Sequence, residues 1–160
     1  MQRAMSATST SYEDEVIFYW QNVGLEQFTI QAQAQGYEMS EDFAWSTLPE
    51  LQRYIQNEQI SEDATSEDGK WQFVACYYYL GEVINTRFGT DWMLIKDGSM
   101  HDHMHGIAKV MQAFPEMYLV PRELVIMVSD GLMEEGLQAY IENFASYDGK
   151  TPVDDIAEEV

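Results

Sequence analysis

KWQFVACYYYLGEVINTRFG, residues 70–89, is the stretch that decides the fold. Its large apolar side chains recur at helical spacing, which predicts one helix from about Lys70 to Phe88. Gly89 is a suitable C-cap, because glycine readily adopts the left-handed conformation that ends many helices. The apolar stripe comprises Trp71, Val74, Tyr78, Gly81, Ile84 and Phe88, and it is widened by Phe73, Tyr77 and Leu80. We expect this helix to lie at the centre of the fold.

Three features inside this helix carry further expectations. Tyr77, Tyr78 and Tyr79 span most of a helical turn, so at least one of them is expected at the surface or in a groove. Gly81 is expected to mark the close approach of another backbone. Cys76 lies within the apolar run, where a thiol is typically a small core residue and not a nucleophile.

Two helices are predicted before this one. The first begins near Thr10, at a capping-box spacing, and Gly24 is expected to bend or split it before Gly36 ends it. The second begins at TLPE, residues 47–50, a capping box with proline in the first turn. Its inner face would consist of Leu48, Leu51 and Ile55. The stretch SEDATSEDG, residues 61–69, is expected to be an acidic loop, and its spacing does not fit a calcium-binding EF-hand.

The segment after Gly89 has a different pattern. Residues 92–95 are predicted to form a short strand, and Asp97-Gly98 is a tight-turn signal. Residues 91–103 are therefore expected to form a hairpin. Residues 105–113 have apolar positions at helical spacing, which predicts a short helix closed by Pro115.

Two helices are predicted in the last third of the chain. The apolar run after Pro121 fits either a buried helix or a strand, and proline at a first helical position favours the helix. A last helix is expected from about Gly131 to Ser146, with Asp130 as its N-cap.

Together these elements predict an α+β fold, a mostly helical single domain with a small β-hairpin or sheet. Residues 1–10 are expected to form a flexible N-terminal arm, residues 11–148 the domain and residues 149–160 an acidic C-terminal tail. The strands and helices do not alternate as they would in a doubly wound nucleotide-binding fold.

Acidity is the strongest compositional feature, since 28 acids against 8 bases give a net charge of −20. The excess belongs to the flanks: residues 38–68 hold nine acids and one base, residues 116–160 hold eleven acids and two bases, and residues 70–115 are neutral. Such a charge repels nucleic acid and anionic membranes and attracts basic proteins. It is also compatible with a role in solubility alone.

Several classes of protein are disfavoured. The N-terminus lacks the apolar run of a signal peptide, and no stretch of 18 apolar residues is present. The single cysteine allows no internal disulfide, which suits a reducing cytoplasm. Common motifs for nucleotide binding, zinc proteases and serine hydrolases are absent, so we expect a cytoplasmic protein that is not an enzyme and has no cofactor.

The three histidines of the chain all lie in SMHDHMHGIAK, residues 99–109. His101, His103 and His105 alternate along the chain, and alternate side chains on a strand point the same way. The string is similar to the alternating histidine–aspartate motif of metallo-β-lactamase-like hydrolases, but those sites need a further distant histidine that this chain lacks. A metal-dependent hydrolase is thus one alternative, and a polar hairpin edge without metal is the other.

The stretch YYLGEVINTRFGTDWMLIKDG, residues 78–98, resembles a pattern found in small uncharacterised bacterial domains. The matching residues are Tyr79, Leu80, Gly81, Glu82, Val83, Arg87, Gly89 and Trp92. Some of those domains look like immunity or accessory proteins of bacterial toxin and conflict systems. The resemblance implies a bacterial, cytoplasmic protein that binds another protein. It departs from the pattern after the hairpin, where the histidine cluster replaces a proline, and it implies no active site.

These observations lead to the hypothesis of an acidic inhibitor that binds a basic protein partner. Its sharpest form is an immunity protein that occludes the active site of a cognate toxin, and a phage-encoded DNA mimic that blocks a defence nuclease uses the same physics. A further alternative is a scaffold subunit whose acidic residues serve only to keep the protein in solution. The candidate partner-binding residues are Glu62, Asp63, Glu67, Asp68, Glu134, Glu135 and Glu142.

Overall fold

A computed structural model describes the backbone of residues 12–89, 92–94, 107–111 and 114–147, and the side chains of residues 15–89, 92 and 119–144. The predicted N-terminal arm, the acidic tail and the three histidines lie outside these residues. The helices are α1 (Tyr12–Tyr19), a π-helical segment (Trp20–Gly24), α2 (Leu25–Ala34), a 3₁₀ turn (Trp45–Thr47), α3 (Leu48–Asn57), α4 (Glu67–Phe88), α5 (Pro121–Ser129) and α6 (Leu137–Tyr147).

The predicted central helix is present as α4, which has 22 residues. It begins at Glu67, three residues before the expected start, because the Ser66 hydroxyl caps it by accepting a 3.0 Å hydrogen bond from the Gly69 amide. It ends at Gly89 as predicted, with φ of 63° in the left-handed region. Glu67 and Asp68 therefore lie in the first helical turn and not in the preceding loop.

Burial of the tyrosine run differs from the expectation. Tyr77, Tyr78 and Tyr79 are all buried, with 2%, 1% and 0% of their surface exposed, so the prediction that one of them reaches the surface is wrong. The cause is tertiary, since α4 is in contact with α2, α3 and α5 on different sides. The polar end of Tyr79 is satisfied inside the protein: its hydroxyl accepts from the Ser40 amide at 2.9 Å and donates to the Ser40 carbonyl at 2.6 Å.

Aromatic rings connect α4 to the helices around it. The Trp20 ring stacks on Tyr78 with centroids 5.5 Å apart and planes 11° apart. The Phe28 ring meets Tyr54 of α3 edge-on at 5.1 Å and Tyr79 of α4 at 5.8 Å. Such pairs add about 0.5–1.5 kcal/mol each beyond the area they bury. Phe28 of α2 thus joins three helices.

Gly81 provides space for a side chain and not, as predicted, for another backbone. A Cβ atom built at this position would overlap the indole ring of Trp92. The indole nitrogen of Trp92 donates a hydrogen bond to the Glu82 carboxylate, which also accepts a 2.9 Å bond from the Gln21 amide. Glu82 therefore links α4 to the π-helical segment and to Trp92.

The N-terminal helix is continuous from Tyr12 to Ala34, with the π-helical segment between α1 and α2. The expectation that Gly24 bends or splits the helix is not confirmed, because the helix continues through Gly24, which closes the π-helical segment. A Cβ at Gly24 would collide with the Trp20 indole, so glycine lets the ring fold back against the helix. Gly36 follows the helix at φ of 97°, as expected for its end. The predicted capping box at Thr10 lies outside the described residues.

Helix α3 follows the prediction in position but not in its cap. Leu48, Leu51 and Ile55 are fully buried on one face. Thr47 precedes the helix, but its side chain makes no capping hydrogen bond, since the 3₁₀ turn has already placed it in helical conformation. Glu50 instead accepts hydrogen bonds from Arg53 at 2.8 Å and from the Glu38 amide at 2.9 Å.

The predicted α+β class is wrong, because 71% of the residues with described side chains are helical and 2% are in strands. Of the extended segments, only Trp92 and Leu119 have described side chains. In the remaining backbone, three short strands pair in the order β1-β2-β3, both pairs antiparallel. They are β1 (Trp92–Leu94), β2 (Ile107–Met111) and β3 (Phe114–Leu119).

Two local predictions between residues 91 and 115 are also wrong. The partner of Trp92–Leu94 is Ile107–Met111, so the pairing does not use residues 99–103 as a hairpin would. The segment 107–111 is extended and not helical. A short apolar run with β-branched residues fits both states, and periodicity alone does not separate them.

The C-terminal helices follow the sequence in one case and depart from it in the other. Helix α5 begins at Pro121, which confirms the helical interpretation of that run. Helix α6 begins at Leu137, six residues later than expected, and Asp130 ends α5 instead of capping α6. Gly131 and Gly136 lie between them with φ of 75° and 93°. The backbone amide of Leu137 donates to the Gln52 side chain at 3.0 Å, which fixes the start of α6 against α3.

Candidate acidic interface

All seven acids expected to bind a partner are exposed, and four of them, Glu67, Asp68, Glu134 and Glu135, lie on other elements than predicted. Glu62 and Asp63 belong to the loop between α3 and α4, whereas Glu67 and Asp68 belong to the first turn of α4. Glu134 and Glu135 lie in the turn before α6 and not within the last helix, which contains Glu142.

The structure separates these acids into two groups at opposite ends of α5. The Glu62 carboxylate is 3.4 Å from the guanidinium of Arg122, the second residue of α5. Glu134 and Glu135 follow the other end of that helix, which has 9 residues. A helix of this length spans about 13 Å, so the two groups do not form one continuous cluster. We refer to residues 62–68 as the first acidic end and to residues 134–142 as the second acidic end.

Part of the first acidic end also has a local structural role. Glu67 and Asp68 lie beside the positive N-terminus of α4, where carboxylates stabilise a helix. The side chain of Ser61 accepts from the Asp63 amide at 3.0 Å, which orders the loop that carries Glu62 and Asp63. The geometry therefore presents these carboxylates on an ordered loop and a helix start.

Few basic side chains compensate the negative charge of this surface. The described side chains include seventeen acids and four bases: Arg53, Lys70, Arg87 and Arg122. Each arginine packs over an aromatic ring of the fold, with centroid distances of 4.5 Å to Tyr37, 4.9 Å to Trp45 and 5.4 Å to Phe73. Two of them also pair with a carboxylate, Arg53 with Glu50 and Arg122 with Glu62. Most of the exposed acids thus have no basic neighbour in the described part of the chain.

A pocket that the sequence did not indicate lies beside the N-terminal helix. Its volume is about 230 Å³, and its lining includes Leu25, Glu26, Ile30, Glu41 and Phe43. Close to it, the same helix exposes large apolar side chains, with 67% of Phe18, 41% of Val23 and 57% of Ile30 accessible. The available signal in the sequence was the presence of apolar residues on more than one face of this helix.

Nothing in the described residues has the arrangement of a catalytic centre. Cys76 is completely buried, and this burial raises the pKa of its thiol well above the usual value, so the thiolate is disfavoured. No group of three or more potential ligands among the described side chains could hold a metal ion. His101, His103 and His105 lie outside the described residues, and the metal hypothesis stays a prediction that metal analysis of the purified protein and of a triple alanine variant would test.

Comparisons of the chain with protein-family models, with curated proteins and with solved structures found no match. The resemblance of residues 78–98 to toxin-immunity domains therefore stays a prediction. Within the structure, its residues have structural roles: Gly81 makes room for Trp92, Glu82 binds the Trp92 indole, and Gly89 ends α4. No helix of the described part is long and apolar enough to cross a membrane.

Proposed function

We propose that the protein binds a basic protein partner stoichiometrically and blocks a cationic active site on it, as an immunity protein neutralises a cognate toxin. The observation that carries this proposal is the set of exposed carboxylates at both acidic ends, where Arg122 pairs with Glu62 and no other carboxylate forms an ion pair with a described arginine. A reducing cytoplasm is the compartment that we propose, in keeping with a single buried thiol.

Inhibition by this mechanism needs no chemistry from the protein. A negative surface attracts a positive cleft over long range and raises the rate of association, and the bound protein then excludes the substrate. The acids stand on helix ends and ordered loops around a buried aromatic core. Such a surface needs little reorganisation on binding, which reduces the entropic cost of forming the complex.

The experiment is capture of the partner by the purified protein from lysate of its source cells, at low and at high salt. We expect one basic protein in equimolar amount, released by salt because the attraction is screened, and we expect that protein to lose its activity when the acidic protein is added. Recovery of no partner, or of one that keeps its full activity in the complex, would contradict the proposal.

Variants that each remove two negative charges identify the part of the surface that contacts the partner. Glu62→Gln with Asp63→Asn changes the first acidic end, and Glu134→Gln with Glu135→Gln changes the second. Glu15→Gln with Glu38→Gln removes two exposed charges elsewhere and serves as the control. We expect at least one end variant to weaken binding tenfold or more while the control stays close to wild type. An equal loss in all three would indicate a general effect of charge and no specific face.

Thermal unfolding of each variant separates binding from stability, since Glu62→Gln also removes the contact with Arg122. Competition with duplex DNA then shows whether the covered site of the partner is a DNA-binding site. A partner whose DNA-binding site is the one covered would be displaced by duplex DNA, as expected for a DNA mimic or for an inhibitor of a nuclease toxin.

A further inference from the structure

We propose that the pocket beside the N-terminal helix anchors an arginine side chain of the basic partner, an inference that rests on the proposed function. The pocket has an apolar part formed by Leu25, Ile30 and Phe43, and two carboxylates, Glu26 and Glu41, in its lining. Neither carboxylate pairs with a base in the described part of the chain. The site thus combines an apolar surface with uncompensated negative charge.

The three other polar side chains of the pocket each donate a hydrogen bond within the chain. The Gln21 amide donates to Glu82 at 2.9 Å, and the Asn22 amide donates to the Phe18 carbonyl at 2.8 Å. The Thr29 hydroxyl donates to the Leu25 carbonyl at 2.8 Å. The charged groups of the lining are the two carboxylates, and together with the apolar surface they favour a cation on an apolar stem over a neutral polar molecule.

The wall that carries Phe43 is held in one conformation. Phe43 has φ of 56°, which is uncommon for an aromatic residue and directs the chain sharply at this point. The Ser40 hydroxyl accepts from the backbone amides of Asp42 and Ala44, at 3.1 and 3.3 Å. The Phe43 ring meets Tyr79 edge-on, with centroids 5.1 Å apart. The ring is therefore preorganised as one side of the pocket.

The fold itself pairs arginine with this combination of groups twice. Arg53 lies over the Tyr37 ring and binds Glu50, and Arg122 lies over the Phe73 ring and contacts Glu62. The pocket offers an aromatic ring and two carboxylates but no arginine among its lining residues. A guanidinium supplied by a partner would complete the same arrangement, with its planar face on Phe43 and its N–H groups toward the carboxylates.

The exposed apolar side chains near the pocket fit the surroundings of such an anchor. Phe18, Val23 and Ile30 are more than a third exposed on the N-terminal helix, and Ile30 also lines the pocket. In protein interfaces a few buried anchors carry most of the binding energy, and neighbouring contacts exclude water from them. The apolar side chains would close around the arginine and strengthen its pairing with the carboxylates.

The test uses the full chain and a defined probe, the blocked tripeptide Gly-Arg-Gly, with a citrulline peptide as its uncharged counterpart. We expect the arginine peptide to shift the backbone NMR signals of Ile30 and Phe43 in a saturable manner, and the citrulline peptide to bind at least tenfold more weakly. Glu26→Gln with Glu41→Gln should abolish the shifts, whereas a control pair, Glu15→Gln with Asp130→Asn, should keep them. Equal binding of both peptides, or shifts that survive in the double variant, would overturn the proposal.

A second measurement separates this inference from the proposed function. Partner capture is repeated with Glu26→Gln/Glu41→Gln and with Ile30→Ala, and each is expected to weaken the complex at least tenfold. A partner that binds both variants as tightly as wild type would overturn the anchor while the proposed function stands. If no partner is captured, the proposed function fails and the peptide experiment still decides the pocket.

Discussion

The N-terminal helix and α4 are the two longest helical stretches described, and they are buried in different ways. Helix α4 has buried side chains around most of its circumference, whereas α2 buries Leu25, Phe28 and Ala32 and exposes the opposite face. Apolar side chains therefore occur in two different settings in this protein. Those of α4 hold the fold together, while those on the outer face of the N-terminal helix are exposed, and we propose that they contact a partner.

Two substitutions on the N-terminal helix measure how much its buried face and its exposed face each contribute to stability. Phe28→Ala removes a fully buried ring that packs on Tyr54 and Tyr79, and we expect a loss of about 3–5 kcal/mol in the free energy of unfolding. Ile30→Ala, at a site 57% exposed, should change it by less than about 0.5 kcal/mol. Urea unfolding measures both. Similar losses for the two would mean that the outer face also supports the core.

A smaller effect is expected where α4 meets Trp92. Gly81→Ala forces a methyl group into the Trp92 indole and should cost about 1–3 kcal/mol, although alanine is the better helix former. Trp92→Leu in the same chain should recover part of this cost, because the smaller side chain leaves room for the methyl group. A double-mutant cycle from urea unfolding gives the coupling between the positions. Additive losses would contradict the contact.

Removal of the Tyr79 hydroxyl tests how much its two hydrogen bonds with the Ser40 backbone contribute to stability. Tyr79→Phe leaves the Ser40 amide and carbonyl without this partner, and a loss of about 1–2 kcal/mol is expected at neutral pH. Burial raises the pKa of the Tyr79 hydroxyl above its ordinary value of 10.0. The contribution of this group is thus complete below pH 10 and is lost as the pH rises through the folded-state pKa. Urea unfolding from pH 7 to 11 should show the variant approaching wild type at the alkaline end, and a constant difference would contradict this.

The smallest effect concerns the exposed pair of α3. The hydrogen bond from Arg53 lowers the pKa of Glu50 below its ordinary value of 4.5, and the bond from the Glu38 amide adds to this. The stabilisation is therefore present above pH 4.5 and is lost as the pH falls through the folded-state pKa. Glu50→Gln should lower the urea midpoint slightly at pH 7 and leave it unchanged near pH 3. A difference that persists in acid would point to a role for Glu50 other than charge.

Much of the helical framework could be predicted from the sequence, because its signals are local. The end of α4 at Gly89 and the start of α5 at Pro121 each depend on one residue with a special backbone property. The burial of all three tyrosines could not be predicted, because it depends on helices that reach α4 from separate parts of the chain. The α+β class failed because helices account for 71% of the residues with described side chains. The strand at residues 107–111 was missed because a short apolar run fits both helix and strand.

The candidate interface shows a similar division. Exposure of the seven acids followed from their charge, but their separation to opposite ends of α5 depends on the direction in which α5 packs against α3. The pocket at Phe43 was missed for a different reason. Its shape depends on a left-handed backbone at an aromatic residue, a conformation that sequence patterns associate with glycine and asparagine.

Because Cys76 is buried, the rate at which a reagent labels its thiol measures how often the core opens. A thiol reagent reaches this side chain only when the structure around α4 opens, since the residue has no accessible surface in the folded state. With abundant reagent the labelling rate equals the opening rate, and with scarce reagent it reports the equilibrium population of the open state. Because the chain has one cysteine, the label reports a single position. Mass spectrometry of thiol labelling therefore measures the lifetime of the folded core in the wild-type protein. The same measurement applies with or without a bound partner.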